Sequence, residues 1–316
     1  MSMDRRPDVA PVDRYAVIGN PIGHSRSPEI HRAFSTATGE PLDYQRLLAP
    51  LDGFEDAARR FFAEGGLGLN VTVPFKLAAF TLADRLAPRA AAAGAVNTLR
   101  REDDGTLYGD NTDGAGLVRD LTVNLATALA GRDLLLIGAG GAARGVVLPL
   151  LECGPASLTV VNRSAARANA LCEHFAASGV ADSGLLHSGD VGLATARPYD
   201  VVINATSSSL TDAVPCAFTI AADGLAYDMM YGARPSAFMQ AAAAQSARVA
   251  DGLGMLVEQA AESFRLWRGV LPSGQPVLAA LRDTLTSEGD AGPRAARATE
   301  AASANRPATP GAANDD

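Results

Sequence analysis

The sequence predicts an α/β chain of two domains, one of them doubly wound, with a ligand cleft between them. Three observations carry that expectation. Short apolar runs alternate with helical patterns along most of the chain. A glycine-rich turn, "IGAGGAARG", lies between one such run and a helix. With 316 residues, 47% of them hydrophobic, the chain has enough apolar surface for two moderate cores.

Taken in order, "RYAVIG" (14–19) reads as a buried strand that stops at Asn20 and Pro21. Ser27 and Pro28 then supply an N-cap and a first-turn proline, and Gly39 closes that helix. "DYQRLL" and "LGLNVTV" read as strands, with "DGFEDAARRFFAEG" an amphipathic helix between them. "AVNTLRR", the turn "EDDG" and "TLYGD" form a hairpin pattern. The runs 133–138, 157–161, 199–205 and 225–230 are short, apolar and separated by helical stretches, the rhythm of parallel βαβ units. Helices over 254–270 and 276–285 end the pattern.

These elements divide into a doubly wound unit over 113–251 and an α/β unit over 14–112 to which residues 252–286 return. Residues 287–316 contain no Leu, Ile, Val, Met or aromatic, too little apolar surface to offset the entropy of ordering, so the reading is a disordered tail. Residues 1–13 read the same way. A net charge of −8 argues against nucleic-acid and anionic-membrane partners. No run of about twenty apolar residues and no signal-peptide core is visible, and the odd cysteine count suits a reducing compartment. The expectation is a cytoplasmic protein.

"DLLLIGAGGAARG" sets Gly138, Gly140 and Ala143 after a strand and at a helix start, the G-x-G-x-x-G/A order of Rossmann-like dinucleotide-binding turns. The first glycine makes the turn, the second lets backbone approach pyrophosphate, and the small third residue lets helix pack on strand. The helix start offers free N–H groups to phosphate. After the next strand stand Asn162, Arg163, Ser164 and Arg167, with no acid to hold a ribose 2′-hydroxyl. Guanidinium groups and a hydroxyl suit a 2′-phosphate instead, so the cofactor expected is NADP(H).

The other half carries polar motifs at element ends. They are Ser25 and Ser27 in "GNPIGHSRSP"; Asn70, Thr72 and Lys76 in "NVTVPFK"; Asn97 in "GAVNT"; Asp113 in "GDNTDG"; and Gln259 in "DGLGMLVEQ". Singly, each has a plain structural reading: Ser27 and Asp113 as caps, Asn97 as a turn residue, Gln259 as a helix position. Lys76 is distinctive because it is the one lysine beside 26 arginines. A guanidinium stays charged in proteins, whereas an ammonium can give up its proton.

Together, "GNPIGHSRSP", "NVTVPFK", "AGAVNT", "GDNTDG", "GAGGAARG", "NRS", "INATSS", "DMMY" and "ADGLGMLVEQAA" resemble the shikimate dehydrogenase family in order and spacing from Tyr15 to Leu285. The resemblance implies NADP-dependent interconversion of 3-dehydroshikimate and shikimate on the route to chorismate and the aromatic amino acids. It implies catalytic roles for Lys76 and Asp113, and a substrate site of Ser25, Ser27, Thr72, Asn97, Tyr231 and Gln259. Cofactor contacts would fall on Gly138, Ala139, Gly140, Gly141, Ala142, Asn162, Arg163, Ser164, Arg167, Met229 and Gly252. A quinate/shikimate or aminoshikimate dehydrogenase of broad specificity is the alternative on the same fold. The family contains monomers and homodimers. No paired His or Cys spacing suggests a metal, so proton handling falls to organic side chains, with Lys76 as base for alcohol oxidation and acid for ketone reduction.

Overall fold

The computed structural model describes residues 12–177 and 184–288. The first sheet contains six strands in the order β2-β1-β3-β5-β6-β4. They are β1 (Asp13–Gly19), β2 (Leu42–Leu48), β3 (Gly66–Val71), β4 (Arg85–Leu86), β5 (Thr98–Arg101) and β6 (Leu107–Asp110). β1 runs parallel to both β2 and β3, while β5 pairs antiparallel with β3 and β6. Four helices intervene: α1 (Ser27–Thr38), α2 (Phe54–Ala63), α3 (Lys76–Leu82) and α4 (Pro88–Ala93). Gly39 takes a left-handed φ of 73° and ends α1, its N–H returning to the Ser35 carbonyl.

The second sheet is wholly parallel. Its strands are β7 (Asp133–Ile137), β8 (Ser157–Val161), β9 (Leu186–Gly189), β10 (Tyr199–Asn204), β11 (Ile220–Asp228) and β12 (Arg248–Asp251). The order β9-β8-β7-β10-β11-β12 is that of a dinucleotide-binding sheet, and its direction of winding reverses between β7 and β10. Both faces are covered. One core joins β7, β8 and β10 to α5 (Asp113–Arg119) and α6 (Gly141–Glu152); another packs α8 (Ala237–Ala243) on the opposite face. Such double burial explains why these strands read as unbroken apolar runs. α7 (Ala165–Ala177) follows β8.

α9 (Leu253–Arg268) ties the two halves together. Met255 enters the core of the second sheet, while Leu253, Val257, Ala260, Ala261 and Phe264 pack with Ile30 and Phe34 of α1. A final helix, α10, covers 275–288. α5 crosses α9 so closely that a Cβ on Gly116 would lie 2.7 Å from the Gln259 backbone nitrogen. Glycine is required there by contact, and that contact fixes Asp113, three residues earlier, relative to Gln259.

Three sequence expectations are corrected. Ser27 is the first residue of α1 rather than its cap; Arg26 occupies the cap position, and the Ser25 hydroxyl accepts the Ser27 N–H at 3.3 Å. Asp13 opens β1, where its carboxylate meets Arg268, instead of ending a tail. Ser287 and Glu288 continue α10, Glu288 pairing with Arg26 at 2.5 Å. The rest of the two expected tails lies outside the described residues. The short strands β4, β9 and β12 carry too few apolar residues to stand out in the sequence.

Candidate active site

Lys76 opens α3 immediately after β3, and Asp113 opens α5 immediately after β6. Their side chains form an ion pair at the sheet's end, with Asp113 buried and Lys76 mostly so. The second oxygen of Asp113 accepts the Asn97 amide at 2.8 Å, and the same amide donates to Thr112 Oγ1 at 3.0 Å. Gln259 reaches the group from α9, its Oε1 accepting from Thr112 Oγ1 at 3.3 Å. Four chain segments thus deliver Lys76, Asn97, Asp113 and Gln259 to one point.

Behind this point runs a buried polar chain. Tyr44 donates to Asn70 Oδ1 at 2.7 Å; the Asn70 amide donates to Ser263 at 2.9 Å and to Thr98 at 3.1 Å. Thr98 in turn donates to Asn97 Oδ1 at 2.9 Å. Each member is satisfied by the next, which makes an internal polar network affordable and rigid. Tyr44, Thr98 and Ser263 escaped the sequence reading. Ser263 lies one helical turn after Gln259, on a face otherwise apolar, and that position was the available signal.

Ser25 and Ser27 converge, with hydroxyls 3.2 Å apart, beside Tyr44. Burial pushes the Tyr44 phenol up, with Ser27 opposing, so it stays a neutral donor. Tyr231 enters from the loop after β11 and packs with α1, α9 and α10. Burial raises its phenol as well, against the charge of Arg26. Thr72 is half-buried at the end of β3, and Gly19 makes room for it: a Cβ on Gly19 would lie 2.4 Å from the Thr72 methyl.

His31 lies beneath the serines, fully buried and stacked on Tyr44 with ring centroids 4.2 Å apart. Neither ring nitrogen has a hydrogen-bond partner among the described residues, although Asn70 is near. Burial drives its pKa down to about 3.

In the second half, Gly138 follows β7 with φ 117°, a conformation that suits glycine. Ala139 is half-buried against the core, and Ala142 sits in the first turn of α6. Ala143 is fully buried, filling the small-residue role. A Cβ on Gly140 or Gly141 would meet nothing, so the protein's own packing does not demand glycine at either place. Open space before a helix N-terminus fits a phosphate group approaching the backbone.

Past β8, Arg163, Ser164 and Arg167 are exposed, and neither arginine has a carboxylate partner among the described residues. Asn162 braces the turn by donating to the Ser164 carbonyl at 3.2 Å. The residues present therefore suit a phosphorylated dinucleotide. Met229 and Gly252 meet at the far side, where a Cβ on Gly252 would lie 2.2 Å from the Met229 carbonyl; there glycine is required by the protein itself. Among the described residues no cluster of His, Cys, Asp and Glu could hold a metal, and no helix is long and apolar enough to cross a membrane.

A cavity of about 610 Å³ lies elsewhere, between β12, α8 and α10, and none of the candidate site residues lines it. Its Arg282 and Asp251 are already paired at 2.5 Å, and Asp120 accepts the Tyr227 hydroxyl at 2.6 Å.

Three family profiles match the chain. The profile of the "Shikimate dehydrogenase substrate binding domain" matches residues 17–99, that of "Shikimate / quinate 5-dehydrogenase" residues 120–212, and that of the "Shikimate 5'-dehydrogenase C-terminal domain" residues 252–282. A shikimate dehydrogenase (NADP(+)) of Cupriavidus taiwanensis is 57% identical over 288 residues, covering 89% of this chain and 97% of that protein. One from Aromatoleum aromaticum is 59% identical over 277 residues, covering 87% and 98%. The crystal structure of shikimate 5-dehydrogenase from Thermus thermophilus, in complex with NADP(H) and shikimate, has a TM-score of 0.75 at 34% identity, covering 87% of this chain and all of that one.

Proposed function

The chain belongs to the shikimate dehydrogenase family, and from that premise we propose how its residues divide the work. The enzyme is an NADP-dependent oxidoreductase of the shikimate pathway that reversibly reduces 3-dehydroshikimate to shikimate. When bound, NADP(H) supplies or accepts the hydride.

Lys76 and Asp113 handle the proton. Their contact sets the Lys76 amino group and the Asp113 carboxylate side by side as the acid–base pair of the site. The ammonium of Lys76 gives a proton to the carbonyl oxygen during reduction and takes it back during oxidation. Asn97, fixed by Thr98 and Thr112, holds Asp113 toward Lys76. Thr72, Asn97 and Gln259, with the pair, bind the ring hydroxyls. Ser25, Ser27 and Tyr231 hold the carboxylate, for which three hydroxyl donors around a helix start are suited. Gly138 to Ala142 cradle pyrophosphate, and Asn162, Arg163, Ser164 and Arg167 take the 2′-phosphate, with Met229 and Gly252 as further cofactor contacts.

The observation that carries this division is the single lysine paired with Asp113 where four segments meet. We further propose domains of 13–112 with 252–288 and of 113–251, closing over the cleft, in a cytoplasmic monomer or homodimer. A quinate/shikimate or aminoshikimate dehydrogenase of broad specificity on the same fold is the second reading, which the profile naming both acids supports. Initial rates with each acid, each with NADP⁺ and NAD⁺, test the reading. NADPH formation from shikimate supports it; turnover confined to quinate with NAD⁺ overturns it.

A further inference from the structure

We infer that Arg89 is a positioning residue for this reaction, a clamp that sets Asp113 against Asn97 and Gln259 without touching substrate. The inference rests on the proposed role of the Lys76–Asp113 pair. Arg89 lies on α4, outside every motif singled out above. Its Nε donates to Asp110 Oδ1 at 2.7 Å and its Nη2 to Asp110 Oδ2 at 2.6 Å, a two-pronged contact that lysine's single ammonium cannot reproduce. The same Nη2 donates to Glu262 of α9 at 3.0 Å.

Each partner leads into the site. Asp110 ends β6; its carboxylate accepts the Asn111 N–H at 2.7 Å and its carbonyl accepts the Asn97 N–H at 3.0 Å. Asn111 Oδ1 then accepts the Asp113 N–H at 3.2 Å. Glu262 stands three residues beyond Gln259 and next to Ser263, so its place fixes the helix turn that presents both. One guanidinium therefore joins the strand end carrying Asp113 to the helix carrying Gln259.

Charge explains why the clamp is cationic. Asp110 is 3% exposed, and Glu262 is also largely shielded. Glu262 also accepts from Arg265 at 2.6 and 2.9 Å, so without Arg89 it would keep a cation, whereas the buried Asp110 carboxylate would lose its charged partner and its link to α9. Burial works against the Arg89 charge, but Asp110 and Glu262 outweigh it and hold the guanidinium protonated more firmly than usual. Misplacement of a reacting group by about 1 Å can cost on the order of a hundredfold in rate.

The test is Arg89→Ala with shikimate and NADP⁺, beside Asp113→Asn. Arg89→Ala is expected to lose about ten- to a hundredfold in kcat while KM for NADP⁺ stays within about twofold. Guanidinium chloride at a sub-denaturing concentration should restore part of that loss, and sodium chloride should not. Should the alanine variant fail to fold, Arg89→Lys is judged by the same kcat loss and unchanged NADP⁺ KM. A kcat within twofold of the parent, or a loss indifferent to guanidinium and shared by the NADP⁺ KM, overturns the inference. If Asp113→Asn itself keeps parental turnover, the reading of the pair falls, and this clamp with it; an inert Asp113→Asn beside a near-normal Arg89→Ala sinks the clamp alone.

Discussion

The ammonium of Lys76 and the carboxylate of Asp113 pair across the seam between α3 and α5, thirty-seven residues apart in sequence. Asp113 is also held by Asn97, so its contact with Lys76 does not depend on the pair alone. Asp113 is nearly withdrawn from water, so this is a largely buried contact and not a surface ion pair.

Lys76→Arg keeps the positive charge and replaces the ammonium with a guanidinium, which does not give up its proton in proteins. Its kcat should fall by roughly 10²–10⁴ while KM for NADP⁺ is little changed. Steady-state rates with shikimate measure both quantities. Near-parental turnover would reduce Lys76 to an electrostatic partner.

Arg163 and Arg167 face solvent beside the glycine turn without a carboxylate partner among the described residues. Arg163→Ala should raise KM for NADP⁺ by about tenfold or more, the loss of a charge-assisted hydrogen bond, and leave KM for NAD⁺ nearly unchanged. Parallel titrations of the two cofactors decide. Equal losses would mean that Arg163 does not read the 2′-phosphate.

Gly138 and Gly140 should respond differently to alanine. At Gly138 the φ of 117° and the Thr206 methyl, 3.1 Å from an added Cβ, strain the fold, at a cost of about 1–3 kcal/mol in unfolding free energy. Gly140→Ala should leave the denaturation midpoint unchanged yet weaken NADP⁺ about tenfold, because the added methyl occupies the open approach to the backbone. Normal NADP⁺ binding by Gly140→Ala would place the phosphates elsewhere.

His31 should make the fold sensitive to acid. Free imidazole takes up a proton near 6.5, whereas the buried ring does so only near 3. Between those values the unfolded chain binds more protons, so the contribution of the neutral ring is whole above pH 6.5 and is lost as pH falls toward 3. From pH 7 to pH 5 the loss is about 2 kcal/mol. His31→Phe, which suits a cluster containing Phe34, Phe264 and Trp267, should remove that part of the pH dependence. Urea unfolding at both pH values reads it. Identical pH sensitivity in parent and variant would show that the ring is not held neutral.

Much of the site was legible because its chemistry sits at element ends with distinctive residue types. Lys76 stood out by composition, Gly138 and Gly140 by spacing, and Arg163 by the missing acid. The cap assigned to Ser27 failed because the helix starts one residue earlier: Arg26 takes the cap position, and Ser27, now the first helical residue, gives its own N–H to the Ser25 hydroxyl.

By itself, the sequence determined the alternation of strands and helices, the glycine turn and the identity of the groups able to carry a proton or meet a phosphate. These are local properties, set by period, turn geometry and side-chain chemistry. Only the tertiary structure decided which groups meet: Tyr44 with Asn70, Ser263 with Thr98, and Arg89 with both Asp110 and Glu262. The Arg89 contacts arise where β6 and α9 converge, 152 residues apart between Asp110 and Glu262 in the numbering, and no local pattern encodes the approach of such distant segments. It follows from burying the apolar faces of α1, α5 and α9 together, which carries their polar residues into a shared interior where each must find a partner.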